Sequence, residues 1–229
     1  ATLLHASALS DKKWADKKWI VTMGRLTRTK GHDILLEAFG SIARRFPAWQ
    51  LLVIGDGELR SSLEQQAAPL GGQVVFTGAI REPFALLKRA ELFVMASRYE
   101  GFPMAHGEAL LCGLPVIATD CPSRPGASNG GVRELIRHGL NGWLVPPEDP
   151  AGLAEAMVTC MSDSALRARL AEAAPGGMAA FSAEVALDKW ERLLRYVMSA
   201  KGSDLGRGAF TLSSRPRAED RIVLCRRST

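Results

Sequence analysis

Short, predominantly apolar runs alternate with helix-patterned stretches along most of the chain, and this limits its architecture more than any other feature. The runs fall at 19–23 (WIVTM), 50–54 (QLLVI), 74–76 (VVF), 92–95 (LFVM), 114–118 (LPVIA) and 142–145 (GWLV). None shows the strict apolar–polar alternation of a strand with one wet face. Strands that are apolar throughout are buried on both sides, and strands separated by helices pair in parallel. The pattern therefore predicts an α/β domain, a Rossmann-like doubly wound parallel sheet of about six strands with helices on both faces. Helical spacing is expected from Ile34 to Phe46, closed by Pro47, and over 59–68, 83–89, 105–112, 132–137, 150–161, 165–173 and 183–198. In such sheets ligands bind beyond the carboxyl ends of the strands. The loops after Met23, Ile54, Phe76, Met95 and Ala118 should then form one rim.

Two segments lie outside this pattern, so the expected organisation is a lead-in (1–18), one domain (19–200) and a basic tail (201–229). Asp11-Lys-Lys-Trp14 recurs as Asp16-Lys-Lys-Trp19, a charged lead-in whose second copy enters the first strand. The chain begins at Ala1, which fits a cut through a longer protein with a preceding domain. The tail has a short hairpin expected around 210–212 and 222–224. It also holds most of the net charge of +5: seven basic residues from Lys201 onward against three acidic ones. A nucleic-acid surface would spread its cations over a folded face with aromatics for stacking, so nucleic acid is not an expected partner.

Cys112, Cys121, Cys160 and Cys225 are scattered, with no C-x-x-C and no nearby histidine pair. Neither a zinc site nor a disulfide framework is expected, and a reducing cytoplasm is the expected location. No run is long and apolar enough to span a membrane, and nothing reads as a secretory leader.

The rim loops carry the chemistry. After the first strand comes Gly24-Arg-Leu-Thr-Arg-Thr-Lys30-Gly31. Gly24 permits a tight turn and close backbone approach to a ligand. Arg25 and Lys30, just before a helix, suit a diphosphate, as a guanidinium fork and an ammonium point charge. A solvated basic turn would read the same way. Gly55-Asp56-Gly57 is either a turn in which Asp56 caps the next helix or a backbone face for a base or ribose. The segment 97–110 (SRYEGFPMAHGEAL) sets Glu100 in a loop and Glu108 one turn into a helix. Two carboxylates so placed reach opposite ends of an elongated ligand, and the helix N-terminus between them offers N–H groups to phosphate. No Asp-x-Asp metal clamp is present, so no metal and no cofactor are expected.

Gly24-Arg-Leu…Lys30-Gly31, Val53-Ile-Gly-Asp-Gly57, Ser97-Arg-Tyr-Glu-Gly-Phe-Pro103, Glu108-Ala-Leu-Leu-Cys-Gly-Leu-Pro-Val-Ile-Ala118 and Asn141-Gly-Trp-Leu-Val145 occur in that order. Together they resemble the C-terminal domain of the family 4 retaining glycosyltransferases, which have the two-domain GT-B fold. The resemblance covers roughly 18–198. It implies that Arg25 and Lys30 hold the donor diphosphate, that Glu100 contacts the donor sugar and that Glu108 binds the ribose hydroxyls. It places the backbone of Gly101, Phe102, Met104 and Ala105 near sugar and phosphates, and that of Ile80 near the base. The implied donor is a UDP- or GDP-sugar and the implied acceptor a saccharide or lipid-linked saccharide. The acceptor site belongs to an N-terminal domain outside this chain. Hexosyl transfer with retention would then proceed by same-face attack in the cytoplasm or at the inner membrane face.

Three departures stand out. Pro103 lacks an N–H where the family often has glycine. His106-Gly107 replaces an apolar or small pair, with His106 either meeting a phosphate or capping the helix. The stretch 122–131 is longer than the usual turn, as a substrate-facing loop or an insertion. A non-catalytic nucleotide-sugar-binding module and a relative such as a sugar-nucleotide epimerase stay open as alternatives. A phosphorylase does not, because no lysine lies between Arg89 and Arg137 for pyridoxal phosphate.

Overall fold

The computed structural model describes residues 17–200, with side chains described through 198. The first copy of the Asp-Lys-Lys-Trp repeat and the tail, with its expected hairpin, lie outside the described residues. The chain divides after Gly177 into two compact units.

The first unit is built on six parallel strands: β1 (Lys18–Met23), β2 (Trp49–Ile54), β3 (Val74–Gly78), β4 (Leu92–Met95), β5 (Val116–Thr119) and β6 (Gly142–Val145). Their order across the sheet is β3-β2-β1-β4-β5-β6. β1 pairs with β2 from Lys18↔Trp49 to Met23↔Ile54, and with β4 at Ile20↔Leu92. The chain thus runs outward one way from β1 and then returns to build the other half from β4. The reversal point lies between β1 and β4, where doubly wound sheets open a crevice at their carboxyl ends.

The helices of this unit are α1 (His32–Ile42), α2 (Arg60–Ala67), α3 (Phe84–Arg89), α4 (Met104–Leu111), α5 (Val132–Leu135), α6 (Pro150–Ser162) and α7 (Ser164–Ala173). Successive strand residues point to opposite faces, and the burial pattern follows that rule. Ile20, Leu51, Val53, Leu92, Val94 and Ile117 join one core with Leu35 and Phe39 of α1, Leu63 of α2, Leu153 and Met157 of α6 and Leu170 of α7. Their neighbours Val21, Leu52, Ile54, Phe93, Met95, Val116 and Ala118 are equally buried on the other side. Both faces are therefore dry, as wholly apolar strands require.

Helix ends follow local chemistry. The Asp149 and Asp163 carboxylates accept from the Gly152 and Leu166 N–H groups, both at 2.9 Å, and so start α6 and α7. The helix expected as far as Phe46 stops at Ile42 and tightens into a 3₁₀ turn over Ala43–Arg45, so the α-helix ends before Pro47 is reached. Asp56 does not cap α2, which starts without a side-chain cap. It accepts from Gly57 N–H and pairs with Arg60, so the cap, one of its two readings, is corrected.

The second unit contains α8 (Ala183–Ala200). Asp188–Arg192 and Glu191–Arg195 ion pairs, each one turn apart, line its polar side. No helix among the described residues is long and apolar enough to cross a membrane.

Candidate functional site

Backbone hydrogen bonds sew the rim loops together in the order of their strands. Gly55 N–H donates to Gly78 O at 2.9 Å, Leu26 N–H to Asp56 O at 2.9 Å, Arg98 N–H to Thr29 O at 2.8 Å and Glu100 N–H to Pro122 O at 3.0 Å. The loops after β3, β2, β1, β4 and β5 thus form one continuous edge, as the strand pattern predicts.

On this edge, at the β1/β4 reversal, the structure brings two of the expected residues into contact. Lys30 Nζ lies 2.6 Å from Glu100 Oε1. Glu100 is 6% exposed, and Ser97 Oγ donates to the same oxygen at 2.7 Å. A buried carboxylate is tolerated only when paired and hydrogen-bonded, and both conditions hold here. An ammonium has three donors, so Lys30 keeps two beyond the one spent on Glu100.

Arg25, in the same loop as Lys30, is exposed and has no side-chain partner among the described residues. Gly24 sits against Met95 and the stem of Lys30. Glu108 is partly buried on α4, and burial raises its carboxyl above the ordinary range. Ile80 is partly buried in the loop after β3, and Gly101 is exposed beside Glu100. Phe102 and Met104 are exposed large apolar residues on either side of the buried Pro103. The first turn of α4 holds fewer spare donors than expected, because the Met104 N–H bonds to Phe102 O and the His106 N–H to Pro103 O. Ala105 N–H has no backbone partner among the described residues.

His106 neither caps α4 nor sits on the surface. It is 1% exposed, packs edge-on against Phe93 at 5.7 Å, and its Nδ1 has no partner among the described residues. Burial, with a smaller contribution from the Lys30 charge, lowers its pKa to about 3. It is a neutral core imidazole lying under the site.

The long stretch after β5 is folded against the site. Gly131 N–H donates to Glu100 O at 3.2 Å, so residues 122–131 hold both backbone groups of Glu100. A Cβ on Gly131 would lie 2.0 Å from Gly101 O, although its φ of −70° suits any residue. Gly131→Ala should therefore cost about 2 kcal/mol by forcing two backbones apart, measured by urea unfolding. An unchanged midpoint would mean that the loop is free to move.

Arg98, which lies inside the Ser97–Pro103 motif but was given no role there, organises the rim. It is 9% exposed and contacts Asp33 on α1, Glu148 after β6 and the carbonyl of Arg28. Its hydrogen bonds hold the Asp33 carboxyl below the usual range. The available sequence signal was its place two residues before Glu100 in that motif, since its partners lie far off along the chain. Among the described residues no group of three or more His, Cys, Asp or Glu side chains could hold a metal ion.

The model of the family described as glycosyl transferases group 1 matches residues 17–163. An exopolysaccharide phosphotransferase of Streptomyces coelicolor is 34% identical over 187 residues, which is 80% of this chain but 19% of that protein. The lipopolysaccharide core biosynthesis glycosyltransferase LpsE of Rhizobium meliloti is 33% identical over 79% of this chain and 50% of its own length. HepE of Anabaena, in a crystal structure with UDP, superposes with a TM-score of 0.67 at 28% identity. That match covers 81% of this chain and 50% of HepE. The chain thus spans half or less of these relatives, and its sheet matches those of GT-B glycosyltransferase structures.

Proposed function

The chain belongs to the glycosyl transferases group 1 family, and on that premise we propose that it forms the donor-binding half of a retaining hexosyltransferase using a nucleoside-diphosphate sugar. The observation that carries this reading is the Lys30–Glu100 pair at 2.6 Å, held on the rim at the β1/β4 reversal. Arg25 and the two spare donors of Lys30 neutralise the diphosphate as it leaves. Ala105 N–H, at the positive end of α4, adds to them. Glu108 takes the ribose hydroxyls and Ile80 meets the base. The backbone of Gly24, Gly101, Phe102 and Met104 approaches the phosphates and sugar. Glu100, fixed by Lys30 and Ser97, orients the sugar while positive charge grows at its anomeric carbon. No covalent nucleophile is assigned. The acceptor attacks from the face the diphosphate leaves, and the departing phosphate takes its proton.

UDP in HepE supports the donor class, and the role named for LpsE supports a saccharide or lipid-linked acceptor. The phosphotransferase named for the Streptomyces protein carries little weight, because this chain corresponds to 19% of it. Acceptor binding is assigned to the part of the relatives that this chain does not span. Transfer takes place in the cytoplasm, at the membrane face where the acceptor is lipid-linked.

Calorimetric titration with UDP and with GDP tests the site. One of the two should bind, and Arg25→Ala and Glu108→Ala should each weaken it roughly 10- to 100-fold, the range for a hydrogen bond to a charged group. Binding of neither nucleotide, or unchanged affinity in both variants, would overturn the assignment.

A further inference from the structure

Lys30 stands at the end of a single 3₁₀ turn, Arg28–Lys30, that has no side-chain cap and no buried residue. It holds two internal bonds, 3.1 Å from Lys30 N–H to Thr27 O and a longer 3.3 Å from Gly31 N–H to Arg28 O. So short a turn has little of its own to hold it. It is gripped from outside by one residue. Arg98 donates through its backbone N–H to Thr29 O at 2.8 Å and through Nη1 to Arg28 O at 2.8 Å.

The same guanidinium is fixed on two further sides. Nη1 and Nη2 each lie 2.8 Å from an oxygen of Asp33, in the first turn of α1. Nε and Nη2 reach the two oxygens of Glu148 at 2.5 and 3.2 Å. A guanidinium has five N–H donors, and these contacts use all of them. Arg98 therefore has no donor left for a ligand, and what it does must pass through its neighbours. It also lies in the segment that ends in Glu100, next to Ser97, which donates to Glu100. One residue thus ties the turn carrying Lys30 to the loop carrying Glu100. Glu148 holds an unusual backbone for this purpose, the only non-glycine residue at positive φ (57°) among the described residues.

We propose that Arg98 is a positioning residue for the diphosphate site, setting where the Lys30 ammonium stands while touching no part of the ligand. The proposal rests on the donor-site reading above. Lysine cannot substitute, because its three donors cannot span two carboxylates and a carbonyl in one plane.

The test is UDP affinity by calorimetry, uridine affinity by ligand-observed NMR, and the thermal midpoint, for Arg98→Lys in the parent chain and in a Lys30→Ala background. Arg98→Lys should weaken UDP tenfold or more in the parent and no more than twofold where Lys30 is already gone. Uridine, which has no phosphate, should bind within twofold of the parent. The same loss of UDP in both backgrounds, an equal loss of uridine, or unchanged UDP affinity would overturn the proposal. Should Arg98→Lys not fold, Glu148→Gly serves instead, since it removes one carboxylate and suits the left-handed backbone. It should keep its thermal midpoint and bind UDP severalfold more weakly, and unchanged binding in that variant would overturn the proposal. A parent chain that binds neither UDP nor GDP overturns the donor-site reading and this proposal together. One that binds GDP is read the same way, with GDP and guanosine in place of UDP and uridine. A parent that binds UDP, with additive losses in the two backgrounds, overturns this proposal alone.

Discussion

Gly31→Ala is expected to destabilise the protein by about 2–4 kcal/mol, through two costs that can be measured separately. Gly31 has φ 63°, the left-handed region, where a Cβ costs about 1 kcal/mol. It also lies against the exit of β4, so that an added Cβ would stand 1.9 Å from the Ala96 carbonyl oxygen. That neighbour is backbone, fully buried and continuous with the loop that carries Ser97, Arg98 and Glu100, so it cannot swing aside. Forcing such a contact open costs about 1–3 kcal/mol beyond the conformational term. Gly126 provides the control. Its φ is 77°, in a Pro-Gly turn closed by Ala127 N–H to Arg124 O at 3.1 Å, and nothing lies within 4 Å of an added Cβ. Gly126→Ala should lose about 1 kcal/mol and no more. Urea unfolding of the two variants separates the terms, and equal losses would show that close approach of the loops contributes nothing. Gly31 adjoins Lys30, so the substitution should weaken nucleotide binding as well.

What could be read from the sequence was whatever depends on residues near each other along the chain. Dry strands announce themselves because residues such as Leu51, Leu52, Val53 and Ile54 are all apolar, and a parallel sheet follows from the helices between them. The rim follows from the sheet. Within it, Lys30 and Glu100 stood out by motif, and the structure places them in contact across 70 positions. Features that depend on distant partners were not legible. Arg98 finds Asp33 65 positions before it and Glu148 50 after it, and no local spacing marks either carboxylate as its partner. His106 shows the converse, a polar residue that its sequence position leaves between a phosphate contact and a helix cap and that the fold buries. Its place against Phe93 depends on how α4 lies on β4, which the helix's own residues do not specify. Asp56 preceded a helix and looked like a cap, but Arg60 and Gly57 N–H compete for its oxygens and prevail. The stretch 122–131 read either as a substrate-facing loop or as an insertion, and that its ends hold both backbone groups of Glu100 was legible in neither.

Acid should unfold this protein earlier than its carboxylates alone would dictate, because two imidazoles are buried neutral around Lys30. His32, at the start of α1, is 2% exposed, and neither of its ring nitrogens has a partner among the described residues. Burial, reinforced by the Lys30 charge and opposed by Asp33, lowers its pKa to about 4. His106 is lowered to about 3 by burial and again by Lys30. Both folded values lie below the ordinary 6.5, so between about 6.5 and 4 the unfolded chain binds protons that the folded chain refuses. Stability is therefore present in full above pH 6.5 and drains away as pH falls. Each histidine is expected to withdraw about 2 kcal/mol between pH 7 and 4.5. The Asp33 carboxyl, held down by Arg98, yields only at lower pH. Glu108, raised by burial, takes up its proton in the folded state first and offsets part of the loss at the acid end, a part that Glu108→Gln removes. Unfolding free energies from urea titrations across pH 4.5–7 should approach a slope of two protons, and His32→Leu or His106→Leu should each remove close to one. A flat profile down to pH 4.5 would mean that both imidazoles take up protons in the folded state, with water or a carboxylate reaching nitrogens that the structure leaves unpaired.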